Sequence, residues 1–89
     1  MRYFDHLKFI EVIVRAGSIR QAAQELSITS TALNRRVIAL EDELGTPVFE
    51  RTSHGVRLNA AGELLFTHIR KQSTELERVR SQISDLSGR

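Results

Sequence analysis

The chain has 89 residues and a formal net charge of +2, from 13 Lys and Arg against 11 Asp and Glu. That length bounds it to one small domain with a modest core and no room for a large enclosed active site. There is no cysteine, which excludes a disulfide framework and a thiolate zinc site; the apolar runs are far too short to span a bilayer, and so small a net charge is weak evidence for nucleic acid.

The N-terminus, Met1-Arg2-Tyr3-Phe4-Asp5-His6, lacks the apolar stretch of a signal peptide, so a cytoplasmic protein is expected. A first helix is predicted from about Tyr3 or Phe4 to Arg15. Phe4, Leu7, Ile10 and Val14 recur at helical spacing, and Phe9 and Ile13 widen the stripe. Gly17 ends it. Ser18 opens the second helix, with Gln21 three residues on to complete a capping box. Ala22, Ala23 and Leu26 form its buried side, and the alanine pair leaves room for another helix to cross closely. After the break Ser27-Ile28-Thr29, either Thr29 or Ser30 caps the third helix. Leu33, Val37, Leu40 and Leu44 are its expected core stripe. At about 100° per residue, Thr31, Arg35 and Ile38 point away from that stripe, with Asn34 on its flank.

Two short helices joined by so tight a turn suit a helix-turn-helix, whose second helix enters the DNA major groove. The charge distribution agrees. Arg35 and Arg36 lie in the first half of the third helix, and Glu41, Asp42 and Glu43 near its end. One end is fit to approach phosphates and the other to avoid them.

Gly45-Thr46-Pro47 terminates that helix. Two β-prone runs follow, Val48-Phe49-Glu50-Arg51 and Val56-Arg57-Leu58-Asn59, around the turn Thr52-Ser53-His54-Gly55. They read as a small hairpin, the wing of a winged helix. Asn59 caps a last helix expected to reach about Leu86. Along it Leu65, Ile69, Gln72, Leu76, Val79, Ile83 and Leu86 form a heptad seam whose single polar member is Gln72. A helix this long extends past a small domain and needs a partner for its apolar face, so the seam is assigned to homodimerisation. Residues 1–58 are then the winged helix-turn-helix and 59–89 the linker and dimerisation helix. The expected fold class is mainly α: three helices and a β-hairpin wing, then the long helix.

The candidate DNA-binding residues are Ser30, Thr31, Asn34, Arg35, Arg36, Arg51, His54 and Arg57. Each has a plainer reading beside it. Ser30 is equally a helix cap. Arg35 and Arg36 have Ala39 and Leu40 at i+4, so neither has a carboxylate one turn on. His54 is either an ordinary turn residue or a wing-tip contact to phosphate or the minor groove. Arg51 either meets phosphate or braces the fold against a carboxylate. Ile38 either meets a thymine methyl or packs on a neighbouring element. Glu75 and Arg80 have the offset that pairs neighbouring chains in a parallel coiled coil. His6, His54 and His68 lack metal-ligand spacing, so no metal and no cofactor are expected.

With these residues in hand, the chain resembles the N-terminal DNA-binding domain of the LysR-type transcriptional regulators. The resemblance rests on Leu7-Lys8-Phe9, Gly17-Ser18-Ile19, Ala22-Ala23, Leu26, Ala32-Leu33, Leu40-Glu41 and Leu44-Gly45. It continues through Val48-Phe49-Glu50-Arg51 and Leu58-Asn59-Ala60-Ala61-Gly62. The order and spacing of these pieces carry it over nearly the whole chain. The family usually has Gln at the position of Ser30, Ser at that of Asn34 and Thr at that of Asn59. The first two departures fall on the DNA-facing part of the third helix and bear on base preference. The resemblance implies antiparallel rather than parallel pairing of the last helices. It also implies a larger effector-binding domain, which this chain lacks, so a small-molecule effector is expected to act only through that domain.

The function expected is sequence-specific binding of double-stranded DNA at a dyad-symmetric site, by a homodimer. The alternative is a winged-helix protein-interaction module without DNA specificity. An enzyme is not expected: there is no nucleophile-base pairing, carboxylate pair in a plausible pocket or phosphate-cradling glycine loop.

Overall fold

The computed structural model describes the backbone of residues 2–88 and the side chains of residues 8–88. Its elements, in order, are α1 (Arg2–Ala16), α2 (Ile19–Glu25), α3 (Ser30–Leu44), β1 (Phe49–Thr52), β2 (Gly55–Leu58) and α4 (Ala60–Ser87). Each expected element is present. The contributions of Phe4 and Leu7 to the stripe on α1 lie outside the described side chains.

The local signals act as their chemistry dictates. The Ser18 hydroxyl accepts from the Gln21 N–H at 3.0 Å and starts α2. Asn59 starts α4 by accepting from the Gly62 N–H at 2.8 Å. Gly45 closes α3 with φ +76°, its N–H donating to the Glu41 carbonyl at 2.8 Å. The hairpin pairs Phe49 with Leu58, Glu50 with Arg57, Arg51 with Val56 and Thr52 with Gly55, leaving Ser53-His54 as a two-residue loop.

The core joins all the helices. Phe9, Ile10 and Ile13 of α1 meet Ala22 and Ala23 of α2, Leu33, Val37 and Leu40 of α3, Val48 and Phe49 before and in β1, and Ile69 of α4. Leu26, expected on the buried side of α2, is half-buried against this cluster. Leu44 corrects the expected stripe: it is 45% exposed. The stripe runs out there because α3 ends at that residue and the chain turns away through Gly45.

The hairpin is fastened where it leaves and re-enters the helices. The Glu41 carboxylate accepts from the Val48 N–H at 2.8 Å and the Phe49 N–H at 3.4 Å. Asn59 donates from its side-chain amide to the Pro47 carbonyl at 2.9 Å, and from its backbone to the Val48 carbonyl at 3.0 Å. The Gly17 carbonyl, at the end of α1, accepts from the Val56 N–H at 3.0 Å. That approach requires a glycine opposite: at Gly55 (φ +126°) a Cβ would lie 2.2 Å from the Gly17 carbonyl oxygen. Gly62 does the same for α4, where a Cβ would fall 2.1 Å from the Val48 carbonyl oxygen.

The 28 residues of α4 span about 42 Å, and the molecule measures 53 × 27 × 22 Å. The first half of α4 packs on the domain through Ala61, Gly62, Leu65, Phe66 and Ile69. Its second half carries Ile83 and Leu86 at 56% and 81% exposure. Among the described residues no helix is long and apolar enough to cross a membrane.

Candidate nucleic-acid interface

The turn between α2 and α3 sets the angle of the candidate recognition helix. Leu26 is the C-cap of α2, and Ser27 adopts a left-handed conformation, φ +58°. The Ser27 N–H donates to the Gln24 carbonyl at 3.2 Å and the Ile28 N–H to the Ala23 carbonyl at 3.0 Å. These are the paired bonds of a Schellman motif. An L-residue in that conformation costs roughly 1–2 kcal/mol. The half-buried Ile28, packed on the core, offsets part of this.

Thr29, not Ser30, caps α3: its hydroxyl accepts from the Ala32 N–H at 3.0 Å. Ser30 is the first residue of the helix and exposed, so its hydroxyl is not used as the cap. Leu33, Val37 and Leu40 hold the inner side of the helix to the core. Thr31, Arg35 and Ile38 stand on the outer side, all exposed. Ile38 is 54% exposed. It is not part of the core, and it borders a groove with Glu41, Asp42, Gly45, Thr46 and Pro47. Arg35 and Arg36 are exposed, and among the described residues neither forms an ion pair. Arg36 lies on the flank of the helix, about 100° round from Arg35.

The hairpin supplies the other three candidates. Arg51 projects from β1 and donates through Nη2 to the Asn34 Oδ1 at 2.6 Å. Of the two alternatives for Arg51, the bracing one is corrected in its partner, which is an amide on α3 and not a carboxylate. This contact ties the wing strand to the recognition-helix face directly. Arg57 pairs across the strands with Glu50, Nε to Oε2 at 2.9 Å. Both side chains are largely exposed, and such a pair contributes little. His54 sits exposed at the tip, its N–H donating to the Thr52 hydroxyl at 3.1 Å.

The seam on α4 does not act as one unit. Ile69 is fully buried in the chain's own core and Leu65 is half-buried against it. Ile69 is thus corrected from a pairing residue to a core residue: α4 lies on the domain at this level, and no side-chain surface is left for a partner. Gln72, Leu76 and Val79 are half-buried, and Ile83 and Leu86 exposed. Glu75 pairs with Arg78 on its own helix. The Arg78 guanidinium beside Glu75 holds its carboxyl below the usual range.

Glu41 is the structural residue that the sequence reading missed. The sequence places it with Asp42 and Glu43 at the end of α3 that is fit to avoid phosphates, yet of the three it is Glu41 that accepts from the backbone entering the wing. The available signal was its place on the last turns of α3, eight positions before β1 begins at Phe49.

A helix held by its inner side to a three-helix core, with its outer side bare and a hairpin tied alongside, is a winged helix-turn-helix DNA-binding domain. Comparison with known proteins takes this one step further. Residues 4–63 match the family model described as bacterial regulatory helix-turn-helix protein, lysR family. The chain belongs to this family. It is 38% identical over 81 residues to the transcriptional regulator ClcR of Pseudomonas putida, covering 89% of this chain and 28% of that one. It is 36% identical over 83 residues to the nitrogen assimilation regulatory protein Nac of Escherichia coli, covering 93% and 27%. The chain thus spans little more than a quarter of the length of these relatives. Among solved structures, the CbnR DNA-binding domain in complex with DNA matches with a TM-score of 0.78 at 30% identity, covering 97% of this chain and 98% of that one. The BenM DNA-binding domain with benA site 1 DNA matches with a TM-score of 0.83 at 26% identity, covering 93% of both.

Proposed function

We propose that the chain binds double-stranded DNA sequence-specifically, as a homodimer on a dyad-symmetric site, in the cytoplasm of a bacterium. The observation that carries this is the outer face of α3, where Ser30, Thr31 and Arg35 are exposed and unused by the fold. In this reading α3 lies in the major groove with Arg35 at a base edge, and Arg36 meets the flanking phosphates. The wing carries Arg51, His54 and Arg57 to the adjoining backbone or minor groove. Asn34, held by Arg51, sets the spacing between helix and wing. The second half of α4, with Leu76 and Val79 half-buried and Ile83 and Leu86 exposed, pairs two subunits so that two α3 helices face one side of the duplex. Residues 59–89 serve as the linker, with the first half of that helix anchored in the domain. The activity is binding and not catalysis, and a small-molecule effector acts through a separate domain of the regulator. The DNA complexes of CbnR and BenM support the binding mode by similarity.

Selection of bound duplexes from a random pool tests this. A dyad-symmetric site is expected, with affinity falling steeply as salt rises. Arg35→Ala is expected to weaken specific binding by about 1–3 kcal/mol and to lower the ratio of specific to random affinity. An affinity independent of salt, with no selected site, overturns the reading in favour of a protein-interaction module.

A further inference from the structure

The outer face of α3 contains one large apolar residue that neither phosphate nor hydrogen-bond chemistry explains. Ile38 is 54% exposed, while the residues that hold α3 to the core, Leu33, Val37 and Leu40, lie on the opposite side. At about 100° per residue, Ile38 falls within about 20° of Thr31 and about 60° of Arg35. It therefore shares their stripe. Along the helix axis it stands about 4.5 Å beyond Arg35, a little more than one base-pair step. An isoleucine offers no donor and no acceptor. In a major groove lined by phosphates and polar base edges, the apolar group that distinguishes one base from another is the 5-methyl of thymine.

Resting on the DNA-binding reading above, we infer that Ile38 is a specificity-determining residue that reads a thymine methyl in each half-site, one or two base pairs from the base met by Arg35. The contact removes apolar surface of both groups from water and adds to a hydrogen-bonded base contact rather than replacing it. It selects thymine over cytosine by the methyl, at a position where no hydrogen bond from this residue contributes.

The test exchanges thymine for uracil, one position at a time, in a site chosen from a random pool. The exchange removes the methyl and leaves every hydrogen-bonding edge unchanged. One thymine per half-site is expected to show a loss of about three- to fivefold, the size of one buried methyl group. Its neighbours are expected to show little. Ile38→Ala is expected to fold normally, because the side chain is exposed. It should bind the thymine and uracil sites equally, both about as weakly as wild type binds the uracil site. Far-ultraviolet circular dichroism and the salt slope on random duplex confirm that the variant is folded and still binds DNA. If wild type selects a site in which no thymine is methyl-sensitive, or if the sensitivity persists in Ile38→Ala, this inference falls and the DNA-binding reading stands. If no duplex is selected, the DNA-binding reading itself falls, and this inference with it.

Discussion

The two halves of α4 carry the same heptad pattern and meet opposite fates. In the first half Ile69 is fully buried, and Gly62 sits where a Cβ would strike the Val48 carbonyl oxygen at 2.1 Å. In the second half Ile83 and Leu86 stand in water. A repeat of seven establishes that one stripe of a helix is to be covered. It does not establish whether the cover comes from the same chain or another. That is decided by what the fold brings alongside, here only as far as Ile69 and its neighbours.

The sharpest way to break this comparison is to truncate the buried half. Ile69→Ala is expected to destabilise the domain by about 2–5 kcal/mol, because it leaves a cavity in a core with little room to collapse. Urea unfolding measures it. A loss below about 1 kcal/mol would mean that the helix is not anchored there.

The exposed half should behave in the reverse manner. The double change Ile83→Asp, Leu86→Asp is expected to leave the urea midpoint of dilute protein unchanged, since both side chains are exposed. It should convert a dimer to a monomer in sedimentation. It should also weaken binding to a full two-half site by about a hundredfold while half-site binding persists, through loss of effective concentration. Wild-type affinity for the full site in the double variant would exclude pairing through this half.

The smallest effect concerns the exposed pair of Glu75 and Arg78, which decorates the free half. The Glu75 carboxyl is held below its usual range, so its contribution to stability is present above the ordinary carboxylate pKa. It is lost as pH falls through the depressed value. Both side chains are solvent-exposed and screened, so Glu75→Gln is expected to unfold together with wild type across neutral pH. A clear separation of the two curves at neutral pH would show that this half is more structured by its own surface than the comparison allows.

The features legible in the sequence were those with a local cause. Ser18 with Gln21, Gly17, Gly45 and Asn59 mark helix ends through bonds made within a few residues. The outer stripe Thr31, Arg35 and Ile38 follows from helical geometry alone. What was not legible depended on distant parts of the chain. The bond from Arg51 to Asn34 crosses 17 positions, and the wing strand receives Glu41 from another element. The choice between Thr29 and Ser30 as cap is a one-residue difference, and the Ala32 N–H is met by Thr29. Ser27 shows the limit from the other side. Its left-handed conformation would suit glycine, and nothing in its residue type announces it.

The fastening of the hairpin has a mechanical consequence. The hairpin is held at its base by Glu41 and Asn59, along its second strand by the Gly17 carbonyl, and at its first strand by the hold of Arg51 on Asn34. Helix and wing are therefore joined like the two jaws of a caliper, whose gap is set by bonds within the chain. Under the binding mode proposed above, a duplex would meet both jaws together only where its own grooves match that gap, and stretches whose groove width or stiffness differ would have to deform to do so. Base pairs lying between the jaws, touched by neither, would then enter the affinity through their flexibility alone.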